Sequence, residues 1–256
     1  MNTVSATDLK SRIQGWGADL VGITSVQGIP LSPLLHPNRV LEGAYSAIVF
    51  GMAGLTGAID SRNPRIGSVT VRAAETELRR VTYTAVRFLE DCGLQAAIAG
   101  PVPPMEMSRE TKGLIPDFPI KVAAVAAGLG VRGKSGLVLT PRWGPRVRLS
   151  AVVTDAVLDK DEPLNTDLCG DCHLCIESCP AGAISEVGTD LIKCVTYLEP
   201  YGVRRTVKFL SELLSKPDEQ RAAMLRDPFL WGLHQTLSQG LYYNCFECLR
   251  VCPVGR

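Results

Sequence analysis

Residues 169–180 read CGDCHLCIESCP, and this stretch decides how the second half of the chain is organised. Its cysteines are separated by two, two and three residues, and a proline follows the last of them. Thiolates are soft ligands, and cysteines at two-residue gaps let one tight loop bind several irons of a 4Fe–4S cluster. In bacterial ferredoxins with this run, the fourth cysteine binds a second cluster. The stretch therefore predicts a ferredoxin-like fold with two clusters.

Residues 244–253 read NCFECLRVCP and repeat the end of the first motif. Together with Cys194, they bring the motif cysteines to eight of the nine in the chain. We assign one cluster to Cys169, Cys172, Cys175 and Cys252, and the other to Cys179, Cys194, Cys245 and Cys248. A pair of cysteine-rich zinc sites is the alternative, because Cys-x-x-Cys is common there too. The three-cysteine run and the prolines after Cys179 and Cys252 favour iron–sulfur clusters.

Composition and charge narrow the possible partners and the cellular compartment. The chain has 256 residues with 27 basic and 26 acidic side chains, so its formal net charge is +1. This balance gives no reason to expect nucleic acid or an anionic membrane as a partner. The first 23 residues lack a signal-peptide pattern, and no stretch of about 20 apolar residues occurs. We therefore expect a cytoplasmic protein without membrane attachment, whose nine cysteines hold metal rather than form disulfides.

The first half of the chain alternates short β-rich runs with amphipathic stretches. Strands are predicted at residues 18–24, 45–52, 94–99, 136–140 and 147–154 from their β-branched content and flanking breakers. Apolar residues at helical spacing predict a helix over 71–90. This alternation predicts a layered α/β domain over 1–158. A cluster-binding domain follows over 159–256, with a helical insertion at about 200–240.

Three features outside the cysteine motifs receive ordinary structural interpretations. In the insertion, an apolar stripe at helical spacing is predicted to pack against the rest of the protein; it consists of Val203, Val207, Leu210, Leu213 and Leu214. Cys92 lies far from both motifs and is predicted to be a small buried hydrophobe. His173 lies between two cluster ligands and is given no role.

Several segments together resemble epoxyqueuosine reductases and the related reductive dehalogenases. They are AGLGVRGKSGLVLTPRWGPRVRLSAVVTDAVL (127–158), CGDCHLCIESCPAGAI (169–184), IKCVTYLEP (192–200) and YNCFECLRVCP (243–253). The resemblance runs over nearly the whole chain and includes a cysteine before VTYLEP, which supports Cys194 as a ligand. It implies an α/β (α+β) fold class, in which a nitroreductase-like layered α/β domain precedes a two-cluster bacterial ferredoxin-like domain. It also implies a corrinoid (cobalamin) that receives electrons from the nearer cluster.

The corrinoid implied by this resemblance would need anchoring groups and a pocket. Candidates are the glycine-loop residues Gly128, Gly130, Gly133, Lys134 and Ser135, whose backbone N–H groups and lysine side chain could hold amide or phosphate groups. The alternative is that these glycines only form a tight turn. The loops at 30–37, 101–104 and 128–136 are expected to line the pocket.

The resemblance also implies a catalytic acid, for which the closest matches are Asp117 and Lys121 in IPDFPIKVAAVAAGLG. Asp117 stands about three residues closer to the glycine loop than the family pattern places its acid, so ordinary surface charge is the alternative. Family members that act on tRNA typically continue into a helical-repeat region, whereas this sequence stops four residues after Cys252. We therefore do not expect tRNA as a partner.

Two functions from different classes fit these features. The first is a corrinoid-dependent iron–sulfur oxidoreductase that reduces a small molecule. The second is an electron-transfer or corrinoid-reducing ferredoxin-type protein without a substrate of its own. Either function needs a low-potential electron donor such as ferredoxin or flavodoxin, because the clusters exchange single electrons.

Overall fold

The computed structural model describes residues 4–29, 37–101, 105–106, 108, 115–242 and 244–256. The helices are α1 (Ala6–Gly15), α2 (Thr56–Ile59), α3 (Pro64–Asp91), α4 (Ile120–Ala126), α5 (Leu174–Glu177), α6 (Leu191–Leu198), α7 (Val203–Leu214), α8 (Asp218–Met224), α9 (Pro228–Gln239) and α10 (Glu247–Arg250). The strands are β1 (Leu20–Ser25), β2 (Ser46–Ala53), β3 (Ala96–Ile98), β4 (Met105–Glu106), β5 (Ile115–Pro116), β6 (Val131–Arg132), β7 (Val138–Leu139), β8 (Val147–Thr154), β9 (Ile184–Ser185) and β10 (Gly188–Thr189).

The main sheet of the described residues has the order β1-β2-β8-β3, and each neighbouring pair is antiparallel. Its centre is β2, where Ile48 pairs with Ile23 on one side and Val152 on the other. Four of the five predicted strands are confirmed in this sheet. The fifth, at 136–140, is instead the short β7, which pairs with β6 in a separate hairpin.

Helices cover both faces of this sheet, which explains why β2 is a continuous apolar run. Ile48 and Phe50 face the core formed with α1 and α3. Ala47 and Val49 point the opposite way, into the core that includes α4. Successive side chains of a strand alternate between faces, so a strand covered on both sides must be apolar throughout. The predicted layered α/β class is therefore confirmed.

The long helix α3 begins seven residues earlier than the sequence pattern predicts. Asn63 caps it by accepting a hydrogen bond from the Arg65 N–H, and Pro64 occupies the first turn. Proline suits this position because its missing N–H would have no partner within the helix. At the other end, Cys92 is the C-cap and is only half-buried, so it is not the core residue that we predicted.

The cysteine-bearing half consists of short elements. Helix α5 carries Cys175, α10 carries Cys248, and the two helices lie against each other. A hairpin of β9 and β10 follows α5. Helices α7, α8 and α9 occupy the predicted insertion. Nowhere in the described part of the chain is a helix both long and apolar enough to cross a membrane.

The aliphatic stripe of α7 does not pack as we predicted. Val203 and Leu214 are each 75% exposed, and Val207 is 56% exposed. The buried residue of α7 is Phe209, whose ring stacks on Phe229 of α9 at a centroid distance of 4.8 Å. Since this aromatic contact sets how α7 lies against its neighbours, most of the aliphatic stripe is left facing outward.

We predict that Phe209→Ala lowers the free energy of unfolding by about 3 kcal/mol, because it removes a buried ring and leaves a cavity. Val207→Ala is the matched control and should change it by less than about 0.5 kcal/mol, since that side chain is mostly exposed. Chemical denaturation of the anaerobic protein, combined with hydrogen exchange at α7 and α9, measures both. Equal losses for the two variants would show that the aliphatic stripe is buried after all.

Candidate metal centre

The loop that starts the first cysteine motif is held by an aspartate. Asp167 accepts hydrogen bonds from the backbone N–H groups of Cys169 at 2.9 Å and Gly170 at 3.0 Å. These two bonds lower the pKa of the Asp167 carboxyl. Gly170 has a φ of +47°, a left-handed conformation that glycine adopts without strain. Asp167 and Gly170 therefore shape the loop before any metal binds.

The first set consists of the thiols that the sequence assigns to one cluster, Cys169, Cys172, Cys175 and Cys252. Burial raises the pKa of Cys175, and negative charge on Cys169, Cys172 and Cys252 raises it further. Cys252 comes from the end of α10, far along the chain from the others. Its own pKa is raised by burial and by the charges of Cys169 and Cys172. The chain thus brings one distant cysteine to the first motif.

The second set contains the other four motif cysteines. Burial raises the pKa of Cys194, and the charges of Cys179 and Cys245 add to the effect. Burial raises the pKa of Cys248 to about 12, with Cys245, Cys194, Cys175 and Cys179 as its charged neighbours. The contribution of Cys175 shows that Cys248 also lies on the side facing the first set. Among the described residues, the motif thiols therefore influence one another's pKa values largely within the two groups of four predicted from the sequence, and Cys248 is also affected by Cys175.

Several polar groups around these sets suit an iron–sulfur cluster. The Ala183 N–H donates to the Cys179 sulfur at 3.3 Å, and such bonds tune cluster potentials. The Ser178 hydroxyl is buried without a hydrogen-bond partner in the described part of the chain. The Ser178 hydroxyl is next to Cys179 in the sequence and could donate a hydrogen bond to a cluster sulfur. The eight thiols and these donors fit the chemistry of 4Fe–4S ligation.

Zinc ligation would need a different arrangement of the same thiols. Structural zinc takes four ligands at about 2.3 Å from one point, whereas each cysteine of a 4Fe–4S cluster binds a separate iron. Among the described residues, no three His, Cys, Asp or Glu side chains are grouped closely enough to hold one metal ion.

A buried arginine connects the C-terminal cysteines to the α/β layers. Arg146 is 4% exposed and donates to the backbone oxygens of Leu249 at 2.8 Å, Cys252 at 3.0 Å and Val254 at 2.5 Å. Burial lowers the pKa of its guanidinium, and the negative charge of Cys252 opposes that shift. Sequence reasoning missed this residue, because Arg142 and Arg148 stand in the same segment and nothing local distinguishes the buried one.

Arg250 makes a second connection of the same kind. Its guanidinium donates to the backbone oxygens of Ile59 at 3.1 Å and Ser61 at 2.9 Å, just after α2. Arg256 adds a salt bridge to Asp60 at 3.0 Å. Arginines on both sides of Cys252 in the sequence therefore attach the C-terminal cysteine segment to the first half of the chain.

The glycine loop has structural duties of its own. The N–H of Gly128 donates to Val125 at 3.1 Å, and the N–H of Gly133 donates to Leu137 at 2.9 Å. Gly128 has a φ of +69° and ends α4, and a side chain on Gly130 would overlap the backbone oxygen of Leu139. These contacts explain the glycines as a tight turn. Their role in corrinoid binding stays a prediction.

Lys134 and Ser135 lie on the side of this loop that faces the first cysteine set. Lys134 contacts His173 at 3.3 Å and Glu186 at 3.3 Å, and His173 contacts Glu186 at 2.6 Å. His173, to which we gave no role, thus helps to join the glycine loop to the cysteine loop. Ser135 lines a cavity of about 90 Å³ whose other walls include Leu139, Leu168, Leu174, Val254 and cysteines of both sets.

The two candidate acids occupy different surroundings. Lys121 is half-buried on α4, and its amine donates to the backbone oxygen of Gly136 at 3.4 Å. Burial lowers its pKa, as do the nearby Arg132 and Arg148, while Cys194 and Cys248 raise it. The structure therefore brings Lys121 near the second cysteine set. Asp117 is half-buried before α4, and no contact between described residues joins it to a cysteine.

Motif cysteines of this spacing beside a layered α/β unit are typical of an iron–sulfur protein of the ferredoxin type. Residues 162–185 match the family model Fer4, described as a 4Fe-4S binding domain. This match covers the first cysteine motif.

The chain is also similar to curated reductases over about half of its length. It is 34% identical over 143 residues to tetrachloroethene reductive dehalogenase of Desulfitobacterium hafniense, covering 55% of this chain and 23% of that protein. It is 32% identical over 148 residues to epoxyqueuosine reductase of Listeria monocytogenes, covering 57% of this chain and 32% of that protein. The aligned part thus amounts to no more than a third of either relative.

Solved structures of both kinds share the fold. An epoxyqueuosine reductase crystallised with an epoxyqueuosine-modified tRNA stem loop has a TM-score of 0.61 at 20% identity, covering 97% of this chain and 64% of that one. A reductive dehalogenase whose structure suggests a mechanism for B12-dependent dehalogenation has a TM-score of 0.54 at 19% identity, covering 90% of this chain and 36% of that one. The similarity to this family indicated by the sequence is confirmed.

We predict that Arg146→Met lowers the free energy of unfolding by at least about 3 kcal/mol, because three backbone oxygens lose charge-assisted hydrogen bonds from a buried guanidinium. Iron bound through Cys252 should be lost first on heating. Thermal unfolding of the anaerobic protein, with iron analysis at each temperature, measures both effects. Arg79→Met is the control at an exposed position on α3 and should cost less than about 0.5 kcal/mol. If both variants keep their iron equally well, Arg146 does not hold the C-terminal segment.

Proposed function

We propose that this chain is a corrinoid-dependent iron–sulfur oxidoreductase that acts on a small molecule. When bound, 4Fe–4S clusters supply single electrons at low potential, and a corrinoid supplies the cobalt centre of the reduction. The chain's own contribution would be to hold both groups, exclude water and place charge near them. Its similarity to epoxyqueuosine reductases and reductive dehalogenases supports this class of activity.

One observation carries the iron–sulfur part of the proposal. Cys252 of the second motif lines one small cavity with Cys169, Cys172 and Cys175, and the charge of Cys179 of the first motif raises the pKa of Cys194. This reciprocal exchange of the last cysteine of each motif is the arrangement of two-cluster bacterial ferredoxins. It supports two clusters with the ligand sets assigned from the sequence.

The corrinoid part rests on the resemblance rather than on an enclosed pocket. The cavity beside Ser135 measures about 90 Å³, whereas small-molecule sites usually measure about 300–1,000 Å³. Among the described residues, the glycine loop therefore does not enclose a site of corrinoid size. Most of the predicted lining loops at 30–37 and 101–104 lie outside the described residues. Support comes from the fold shared with a B12-dependent dehalogenase.

The small cavity favours a second candidate, an electron-transfer or corrinoid-reducing protein without its own substrate. Both candidates need a low-potential donor such as ferredoxin or flavodoxin. An RNA substrate is the further alternative, because one structural neighbour was crystallised with a modified tRNA stem loop. If the protein retards such a stem loop in a gel-shift assay, RNA takes the place of a small molecule as the proposed substrate.

We predict about eight iron and eight sulfide per chain after anaerobic purification, because both ligand sets have the spacing of four-iron clusters. Cys194→Ser should halve the iron while leaving the cluster on the first set. Cys92→Ser is the control, since that thiol stands at the end of α3, away from both sets. Iron and sulfide analysis with electron paramagnetic resonance measures the outcome. Stoichiometric zinc without sulfide, or unchanged iron in Cys194→Ser, would contradict the ligand assignment.

We predict that the anaerobic protein binds cob(II)alamin in the base-off form, and that Lys134→Ala weakens this binding at least tenfold. The expected loss is that of one charge-assisted hydrogen bond, about 1.5–3 kcal/mol. Glu186→Ala is the matched variant, because it removes the same contact between the loops but keeps the lysine amine. Spectroscopic titration of both variants separates a direct contact of Lys134 with the corrinoid from a role of Lys134 in positioning the loop. Equal weakening by both variants would mean that Lys134 only positions the loop, and the absence of binding with intact clusters would leave the electron-transfer candidate.

A further inference from the structure

A second and larger cavity lies between the start of α3 and the end of α9. Its volume is about 340 Å³, which falls in the range of small-molecule sites. The polar groups that line it come from Arg62, Arg65, Tyr201, Gln235, Tyr242 and Asn244. No acidic residue is among its described lining residues. It shares no lining residue with the cavity beside the first cysteine set.

The charge of this cavity comes from two exposed arginines, Arg62 just before α3 and Arg65 in the first turn of α3. Within the described residues, the side chains of Arg62 and Arg65 have no ion-pair partner, and Asn63 between them already accepts the Arg65 N–H. A guanidinium presents its N–H groups in a planar fork that matches a carboxylate or a phosphate. Two such groups at one cavity, with no carboxylate among its described lining residues, favour an anionic ligand.

The opposite wall is aromatic, and packing fixes it. The ring of Tyr201 lies directly on Gly232 of α9, where any side chain would overlap the ring carbons. The same ring lies 5.8 Å from the ring of the buried Phe229, centroid to centroid. Tyr201 therefore presents its ring and phenol to the cavity in one orientation. Tyr242, which is 45% exposed, adds a second ring at the rim.

We infer that this cavity binds a small flat anion, an aromatic or heterocyclic ring that carries a carboxylate or a phosphate. The anionic group lies against Arg62 and Arg65, and the ring lies along Tyr201. Aromatic rings favour offset stacking on such a wall, while the amides of Gln235 and Asn244 supply hydrogen bonds at its edge. The inference stands apart from the proposed reductase activity and needs no corrinoid.

The test uses the anaerobically purified, cluster-loaded protein and calorimetric titration with adenosine 5′-monophosphate, benzoate and inorganic phosphate. We expect saturable binding of at least one ring-bearing anion, and no binding of inorganic phosphate at the same concentration. Adenosine monophosphate alone identifies a phosphate ligand, and benzoate alone identifies a carboxylate ligand. If neither ring-bearing anion binds at millimolar concentration, or if inorganic phosphate binds as tightly, the inference is wrong.

Variants separate this site from general attraction of anions. The double variant Arg62→Gln, Arg65→Gln should weaken binding at least tenfold, and Arg79→Gln on the exposed face of α3 should leave it unchanged. Tyr201→Leu keeps an apolar side chain but removes the ring, so it should lower the affinity for the ring-bearing anion several-fold. Circular dichroism and iron content check that each variant is folded. Unaltered binding in the double arginine variant would overturn the inference.

Discussion

The hydrogen bonds of one buried guanidinium fix the position of the C-terminal cysteine segment against the first half of the protein. Arg146 stands just before β8 and donates to three backbone oxygens around Cys252. Desolvating a cation is costly, and here three oriented acceptors offset that cost. The first cysteine set, as assigned from the sequence, includes Cys252, so we expect its geometry to depend on this contact. Metal binding at the first cysteine set therefore depends on how the C-terminal segment packs against the α/β layers.

The sequence was informative wherever a local rule applied. β-branched content and flanking breakers predicted four strands of the sheet, whereas the assignment of the thiols to two clusters from cysteine spacing stays a prediction. Sequence reasoning failed where a distant partner decides the outcome. The aliphatic stripe of α7 has helical periodicity, yet Phe209 is buried instead because Phe229 provides an aromatic surface for it. No local rule distinguishes Arg146 from Arg142, since only the fold shows which of them reaches the C-terminal oxygens.

The division at residue 158 is a useful description of the sequence, but charged contacts cross it repeatedly. Lys134 joins the glycine loop to His173 and Glu186, and Arg250 binds the segment after α2. Individually exposed ion pairs add little stability, so Lys134 matters mainly for position. The buried Arg146 and the half-buried Arg250 contribute the larger share of the attachment through hydrogen bonds to backbone oxygens. A redox partner at the glycine loop would thus meet the first cysteine set in a fixed geometry.

Cys179 and Cys252 are each assigned to the cluster of the other motif, and this assignment has a consequence for folding after synthesis. Each filled site would link segments far apart in sequence and act as a covalent staple, closing a long loop as a disulfide does. Such a link removes conformational freedom from the unfolded chain, which is worth about 4.7 kcal/mol for a loop of about 100 residues. Neither staple can close until the segment with Cys245, Cys248 and Cys252 has left the ribosome. With the clusters assigned in this way, we expect iron delivery and the last stage of folding to coincide after synthesis of that segment.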